Sequence, residues 1–232
     1  MTSLKTLMTR VLAVVSLAAL TACATQNKMA YNMEEPAGPT SGNPVYLMTL
    51  TMRNVYKTNH QPKLFVAHVE KPGAQGKADR LNFKMDDLGR METNSMGDGN
   101  SYLVRMELPP GQWELVGMTS MVQSFPLVGT FFTPIHADLN VSKPGTYYLG
   151  HVEATVRERQ GNEFKAGASV PLVDQSLVGA SGGTFDVVIS DAFDKDLKNF
   201  QATFPAMRSA TVERAVLPPF DRARAQKWWE DH

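Results

Sequence analysis

Ile135-His-Ala-Asp-Leu-Asn-Val141, followed by Ser142-Lys-Pro-Gly-Thr-Tyr-Tyr-Leu-Gly150 and running on to Val156, decides how this chain folds. In the first part Ile135, Ala137, Leu139 and Val141 alternate with His136, Asp138, Asn140 and Ser142. In the last part Tyr148, Gly150, Val152, Ala154 and Val156 alternate with His151, Glu153, Thr155 and Arg157. An apolar residue at every second position is the period of a strand with one buried face. Pro144-Gly145 sets a turn between the two, since proline fixes one backbone dihedral and glycine accepts the left-handed region. Read as a two-residue hairpin loop, it predicts Asp138 opposite His151 and His136 opposite Glu153 on the polar face, with Cβ atoms about 5 Å apart.

The same period recurs over 45–52, 63–69, 102–108, 113–118 and 185–189, separated by clusters of Gly, Pro, Asn and Asp. Strands in succession without intervening helices predict a mainly β protein, an antiparallel β-sandwich, and argue against an α/β sheet. Two short helices are predicted late in the chain. One covers about 191–203, capped by Ser190 or Asp191, with Phe193, Leu197, Phe200 and Phe204 along one stripe. The other, in 218–232, is opened by Pro218-Pro219 and shows Phe220, Ala223, Lys227 and Trp228 on one face.

Leu108-Pro-Pro-Gly-Gln-Trp-Glu-Leu115 repeats the arrangement of 142–150, a Pro-Gly turn directly before a strand that begins with an aromatic residue. The aromatic ring covers the end of the core. This resembles the transthyretin-like or carboxypeptidase-regulatory-like β-sandwich, Ig-like in layout, of bacterial envelope lipoproteins of unassigned function. The resemblance spans about 45–190, and Trp113 stands where that pattern usually has Tyr. It implies a fold and leaves the activity open.

At the amino end Lys5 and Arg10 precede the apolar run Val11-Leu-Ala-Val-Val-Ser-Leu-Ala-Ala-Leu20, about half the ~20 residues that cross a bilayer as a helix. Residues 1–22 therefore read as a signal peptide. Leu20-Thr21-Ala22-Cys23 resembles the lipobox of bacterial lipoproteins. That resemblance implies a diacylglyceryl group on the Cys23 thiol, cleavage before Cys23 and acylation of the new amino group. It implies a membrane partner through the lipid and, with Ala24 rather than Asp following, an outer-membrane address facing the periplasm. Residues 23–44 are expected to be the lipidated terminus and a flexible tether, polar and rich in Gly and Pro, with a random-coil reach of about 25 Å. The folded part is then 45–217, followed by the terminal helix.

Charge and cysteine content exclude several classes. Lys plus Arg equal Asp plus Glu at 23 each, so no net field draws the chain to nucleic acid. One cysteine permits neither an internal disulfide nor a Cys-based zinc site.

Candidate chemistry is sparse. His136, Asp138, His151 and Glu153, if the hairpin register holds, form a face with the N and O donors that suit zinc or copper; cross-strand charge pairs explain the same residues. Gly179-Ala-Ser-Gly-Gly183 has the letters of a nucleophile elbow, but a strand follows Ser181 where the mechanism needs a helix. Met85, Met91 and Met96 offer thioethers that suit Cu(I), but at irregular spacing, and Asp191, Asp194 and Asp196 are explained by the dipole of the helix they open. His60, His68 and His232 show no partners. Trp228 and Trp229, beside Arg222, Arg224 and Lys227, are candidate partner-binding residues, or dock the helix on its own domain. With no nucleophile, base and oxyanion donor visibly convergent, the expectation is a non-catalytic binding or assembly module of the cell envelope, without a cofactor; the alternative is a metal-binding protein or metal-dependent enzyme using the four-residue face.

Overall fold

A computed structural model describes residues 25–91, 99–124, 127–140, 143–167 and 173–232. The segment expected as a signal peptide, residues 1–22, and Cys23 lie outside the described residues. The strands are β1 (Thr25–Lys28), β2 (Val45–Asn54), β3 (Lys63–Glu70), β4 (Arg80–Lys84), β5 (Arg90–Met91), β6 (Asn100–Glu107), β7 (Trp113–Ser124), β8 (Leu127–Leu139), β9 (Thr146–Glu158), β10 (Gly183–Ser190) and β11 (Val212–Arg214). Among the described residues three α-helices accompany them: α1 (Val173–Leu177), α2 (Phe193–Thr203) and α3 (Arg222–Asp231). Each of the seven strands expected from the two-residue period is present; β1, β4, β5 and β11, short and weakly patterned, are additional.

The strands form two mixed sheets. Sheet A has the order β1-β4-β3-β7-β8 and sheet B the order β10-β9-β2-β6-β5, with β11 also pairing with β9. Antiparallel pairing dominates, but β1 runs parallel to β4, and both β2 and β11 run parallel to β9. One cluster of buried side chains draws on both sheets, Met48, Val104, Val152 and Phe185 from B with Ala67, Leu115, Phe131 and Ile135 from A. The chain around Ala166 links the sheets: Phe132 N donates to Ala166 O, and Ala166 N donates to Gly183 O, both at 2.8 Å. That strap covers part of the β8 edge, an opening that would otherwise present unpaired backbone groups.

The expected hairpin is not formed. β8 pairs with β7 in sheet A, whereas β9 pairs with β2 and β10 in sheet B, so Pro144-Gly145 carries the chain from one sheet to the other. A two-residue period states which face is buried and says nothing about which strand is the neighbour. The turn aromatics do cover the core ends: Trp113 and Tyr147 are both buried, and each reaches back to its own turn, Trp113 Nε1 to Pro109 O at 2.8 Å and Tyr147 Oη to Lys143 O at 3.2 Å.

The segment expected as a tether is in part folded. After β1, Met29, Ala30 and Tyr31 are buried. Arg105, fully buried, donates from Nε to Ala30 O at 2.7 Å and from Nη1 to Leu103 O at 2.7 Å, pairs with Asp86, and lies 4.2 Å from the Phe204 ring centre. A buried guanidinium requires such partners on every side, and it fastens the N-terminal segment to the body. Ala30, Tyr31, Val45, Leu47 and Leu103 form a second apolar cluster with Phe200, Phe204 and Met207, closing the outer face of sheet B under α2.

Both late helices are present. Asp191 Oδ1 accepts from the Phe193 backbone N–H at 3.0 Å at the start of α2. The terminal helix starts after the proline pair, at Arg222, capped by Asp221, whose Oδ1 accepts from Arg224 N at 2.9 Å. That cap sets a different phase from the expected one: Ala225 is buried and Phe220 and Trp229 pack on the core, while Ala223 and Lys227 are exposed.

Candidate functional site

Strands β4, β3, β7 and β8 lie side by side in sheet A and bring their outward side chains into one row. His68 is opposite Asn82 on one side and Gly117 on the other, and Thr119 is opposite Phe132. Gly117 is required there, because a Cβ atom would stand 2.4 Å from Thr133 O and 2.7 Å from the Phe132 ring. With that space free, the Phe132 ring centre lies 6.1 Å from that of His68. α3 crosses the same face. Trp228 stacks on Phe132 at 5.2 Å, and His232 stacks on Trp228 at 4.8 Å.

Between this face and α3 lies a cleft of about 380 Å³ lined by Thr119, Phe132, Lys165, Trp228, Trp229 and His232, among others. Aromatic walls with a few polar groups are the usual composition of a small-ligand site. Of the lining residues, Thr119 has its Oγ1 2.7 Å from His68 Nε2, and His68 Nδ1 is 2.8 Å from Asn82 Oδ1. Burial pulls the His68 imidazole below its ordinary value of 6.5, against the Asn82 hydrogen bond and the charge of Glu70, which raise it.

Sheet B carries a second histidine row. Asp196, in the first turns of α2, is fully buried and accepts from Tyr148 Oη at 2.6 Å and from His151 Nδ1 at 3.1 Å. Burial alone would raise this carboxyl; the hydrogen bonds from His151 and Tyr148, with the histidine's charge, hold it below the usual range. Burial, then Asp196 itself, push the Tyr148 hydroxyl up, so it stays a donor. His151 Nε2 lies 3.1 Å from Thr51 Oγ1. Tyr148 and His151 share a face only because of the register shift in β9 beside Gly150, where Leu47 faces Tyr148 and the next paired residue, Thr49, faces His151.

The four residues expected on one metal-binding face are divided between the two sheets and engaged by other partners, with Arg224 linking the first two through Glu114 and Asp138. His136 Nδ1 is 2.8 Å from Glu114, Asp138 is 3.3 Å from Arg224, His151 binds Asp196, and Glu153 is 3.5 Å from Arg53. His136 and Asp138 belong to sheet A, His151 and Glu153 to sheet B. Among the described residues no group of three or more His, Cys, Asp or Glu is placed to hold a metal ion. His136 stands at a register shift of β8 with φ +53°, a strained value for a non-glycine residue, its ring 5.1 Å from Trp228. The hydrogen bond from His136, set against burial and helped by the charge of Arg224, holds Glu114 below the usual carboxylate value.

Ser181 lies in a turn after α1 and before β10, the reverse of a strand-turn-helix elbow. Met85 packs against the main core and Met91 against the second cluster; Met96 lies outside the described residues. Asp191 and Asp194 both face Arg214, apart from the inward Asp196. A larger groove of about 840 Å³ runs beside β1 between Met29, Met33, Met85 and Leu88; of its charged lining residues, Lys28 pairs with Glu34 and Asp86 with Arg105. The sequence reading missed His68 and Thr119. The glycine at 117, inside a strand pattern, was the available signal for a close approach on that face. Comparison with protein-family models, with curated proteins and with solved structures gives no match for this chain.

Proposed function

We propose that this protein is a cell-envelope lipoprotein, anchored in the outer membrane through acylated Cys23 and facing the periplasm, whose body is a binding or assembly module. The two sheets are read as a β-sandwich of transthyretin-like character, a reading supported by the two Pro-Gly turns and by Trp113 and Tyr147 tied back to them. β1 follows Cys23 after Ala24 alone, so a lipid on Cys23 would hold the body close against the headgroups, without a long spacer.

The observation that carries the binding function is the aromatic cleft under α3, with Trp228 and Trp229 in its walls and Lys165 as a cation at its lining. Such a cleft suits a small molecule with a flat apolar face and a negative charge. The chain has three tryptophans, which makes the test internal. Titration with benzoate is expected to shift the indole N–H resonances of Trp228 and Trp229 saturably and to leave that of Trp113 in place. Equal, non-saturating shifts of all three would refute the cleft as a site. For the anchor, Cys23→Ser is expected to release the protein from envelope membranes; a wild-type protein found soluble with a free thiol would overturn that part.

A further inference from the structure

Thr119, which lines the cleft, is the first of three linked polar side chains that run from it to His68 and Asn82. The Asn82 amide oxygen can only accept, so His68 Nδ1 carries the ring proton and Nε2 is left as the acceptor of the Thr119 hydroxyl. Hydroxyl, imidazole and orienting group follow one another at 2.7 and 2.8 Å, the order in which a weak nucleophile is activated. We propose that Thr119 is a nucleophile, activated by His68 and oriented through Asn82, that accepts the acyl group of small aryl esters held in the cleft. This rests on the cleft being a ligand site, and extends that reading from binding to chemistry.

The step balances without a co-reactant beyond water. Thr119 Oγ1 attacks the ester carbonyl carbon while His68 Nε2 takes the hydroxyl proton; the bond to the aryloxide breaks, and His68 returns the proton to the departing phenol. Water, deprotonated by the same nitrogen, then attacks the acyl-threonine, which releases the acid and restores the hydroxyl. Asn82 holds the ring tautomer throughout and touches no substrate, so it is a positioning residue. Lys165 lines the same cleft and supplies positive charge where the carbonyl oxygen becomes anionic. The lowered basicity of the buried His68 keeps it neutral, and so able to accept a proton, near pH 7.

Thr51, His151 and Asp196 in sheet B stand in the same order, with Thr51 Oγ1 3.1 Å from His151 Nε2, but Thr51 is shared with Ser101 Oγ at 2.9 Å and stands on the other sheet, away from the cleft that Thr119 lines. Thr51 is therefore the control.

The full chain is mixed with 4-nitrophenyl acetate, nitrophenolate release is followed, and acetylated positions are located by peptide mass spectrometry. The expected result is a burst approaching one equivalent with acetyl on Thr119. Thr119→Ser keeps the burst, Thr119→Val lowers it at least about tenfold, and Thr51→Val leaves it unchanged. The burst rate should fall in acid, below pH 6.5, as His68 gains its proton. Acetyl on lysines or on Thr51 with none on Thr119, or an undiminished burst in Thr119→Val, overturns the proposal. Failure of acylation with intact benzoate binding removes the nucleophile alone; failure of benzoate binding removes the cleft reading as well.

Discussion

The outer faces of the two sheets are each crossed by one helix, and they are sealed by opposite means. Under α2, sheet B buries a carboxylate at Asp196 and a guanidinium at Arg105, with the aromatic side chains of Phe200 and Phe204 beside them. Under α3, sheet A offers rings, with Trp228 laid on Phe132 and His136, and its ions stay at the rim, where Arg224 meets Glu114 and Asp138. A buried charge tolerates one geometry, because every lost partner leaves an unsatisfied ion; stacked rings tolerate sliding. The sheet B face is accordingly a fixed joint, and the sheet A face is the one that leaves room for a ligand.

The comparison breaks first at Asp196. Asp196→Ala leaves His151 and Tyr148 facing an empty buried site and is expected to lower unfolding free energy by about 3 kcal/mol. A urea titration with unchanged slope and a lower midpoint reads it. Trp228→Ala should cost nearer about 1 kcal/mol, with faster amide exchange confined to α3. Equal losses for the two variants would mean that the two helices are held alike.

Gly117→Ala is next in size. The new methyl meets backbone at Thr133 O and cannot be relieved by a side-chain rotation, so a loss of about 2 kcal/mol is expected. Because Phe132 must also move, the Phe132–Trp228 stack should loosen, read as a change in tryptophan fluorescence. A change in stability with the fluorescence of wild type would show that the glycine serves the strand pair and not the cleft.

How much of this was legible follows from what each pattern encodes. The period of two placed all seven main strands and the buried Trp113 and Tyr147, since alternation reports burial directly. Alternation does not report partners, so it predicts β8 and β9 as neighbours although they lie in different sheets. It also could not show the shift beside Gly150, which puts Tyr148 on the polar side and makes a buried Asp196 tenable. The segment 24–44 looked like a tether because its composition is that of a loop. Residues 25–28 are held by pairing with β4 and residues 29–30 by the distant Arg105, and no local signal at those positions announces either. The His68 row escaped for the same reason, as its three members come from three strands.

Acid should separate the two faces. His68 has a lowered value in the folded protein, so between that value and 6.5 the unfolded chain holds a proton that the native one lacks. Stability therefore rises with pH through this window, is fully present above 6.5, and is lost as pH falls through it. Asp196 is also lowered, but from 3.8, so its contribution persists in mild acid and is lost only further down. Measured by urea midpoints, the first decline on acidification should vanish in His68→Gln and remain in Asp196→Asn. The reverse pattern would assign the acid-sensitive joint to sheet B.

The smallest effect is expected where the sequence first suggested chemistry. Glu153 meets Arg53 at 3.5 Å with both side chains close to half exposed, and water competes for each of them. Such a pair is worth about 0.5 kcal/mol or less, so Glu153→Ala should leave the urea midpoint nearly where it was. His151, two residues earlier on the same face of β9, behaves otherwise because α2 covers it and supplies the carboxylate that fixes its ring. A large loss in Glu153→Ala, or the same loss in His151→Ala and Glu153→Ala, would mean that the open half of this face is as tightly built as the covered half. Burial by α2, rather than the residue types on the strand, is then what turns one polar pair on β9 into a joint and leaves the other a solvated contact.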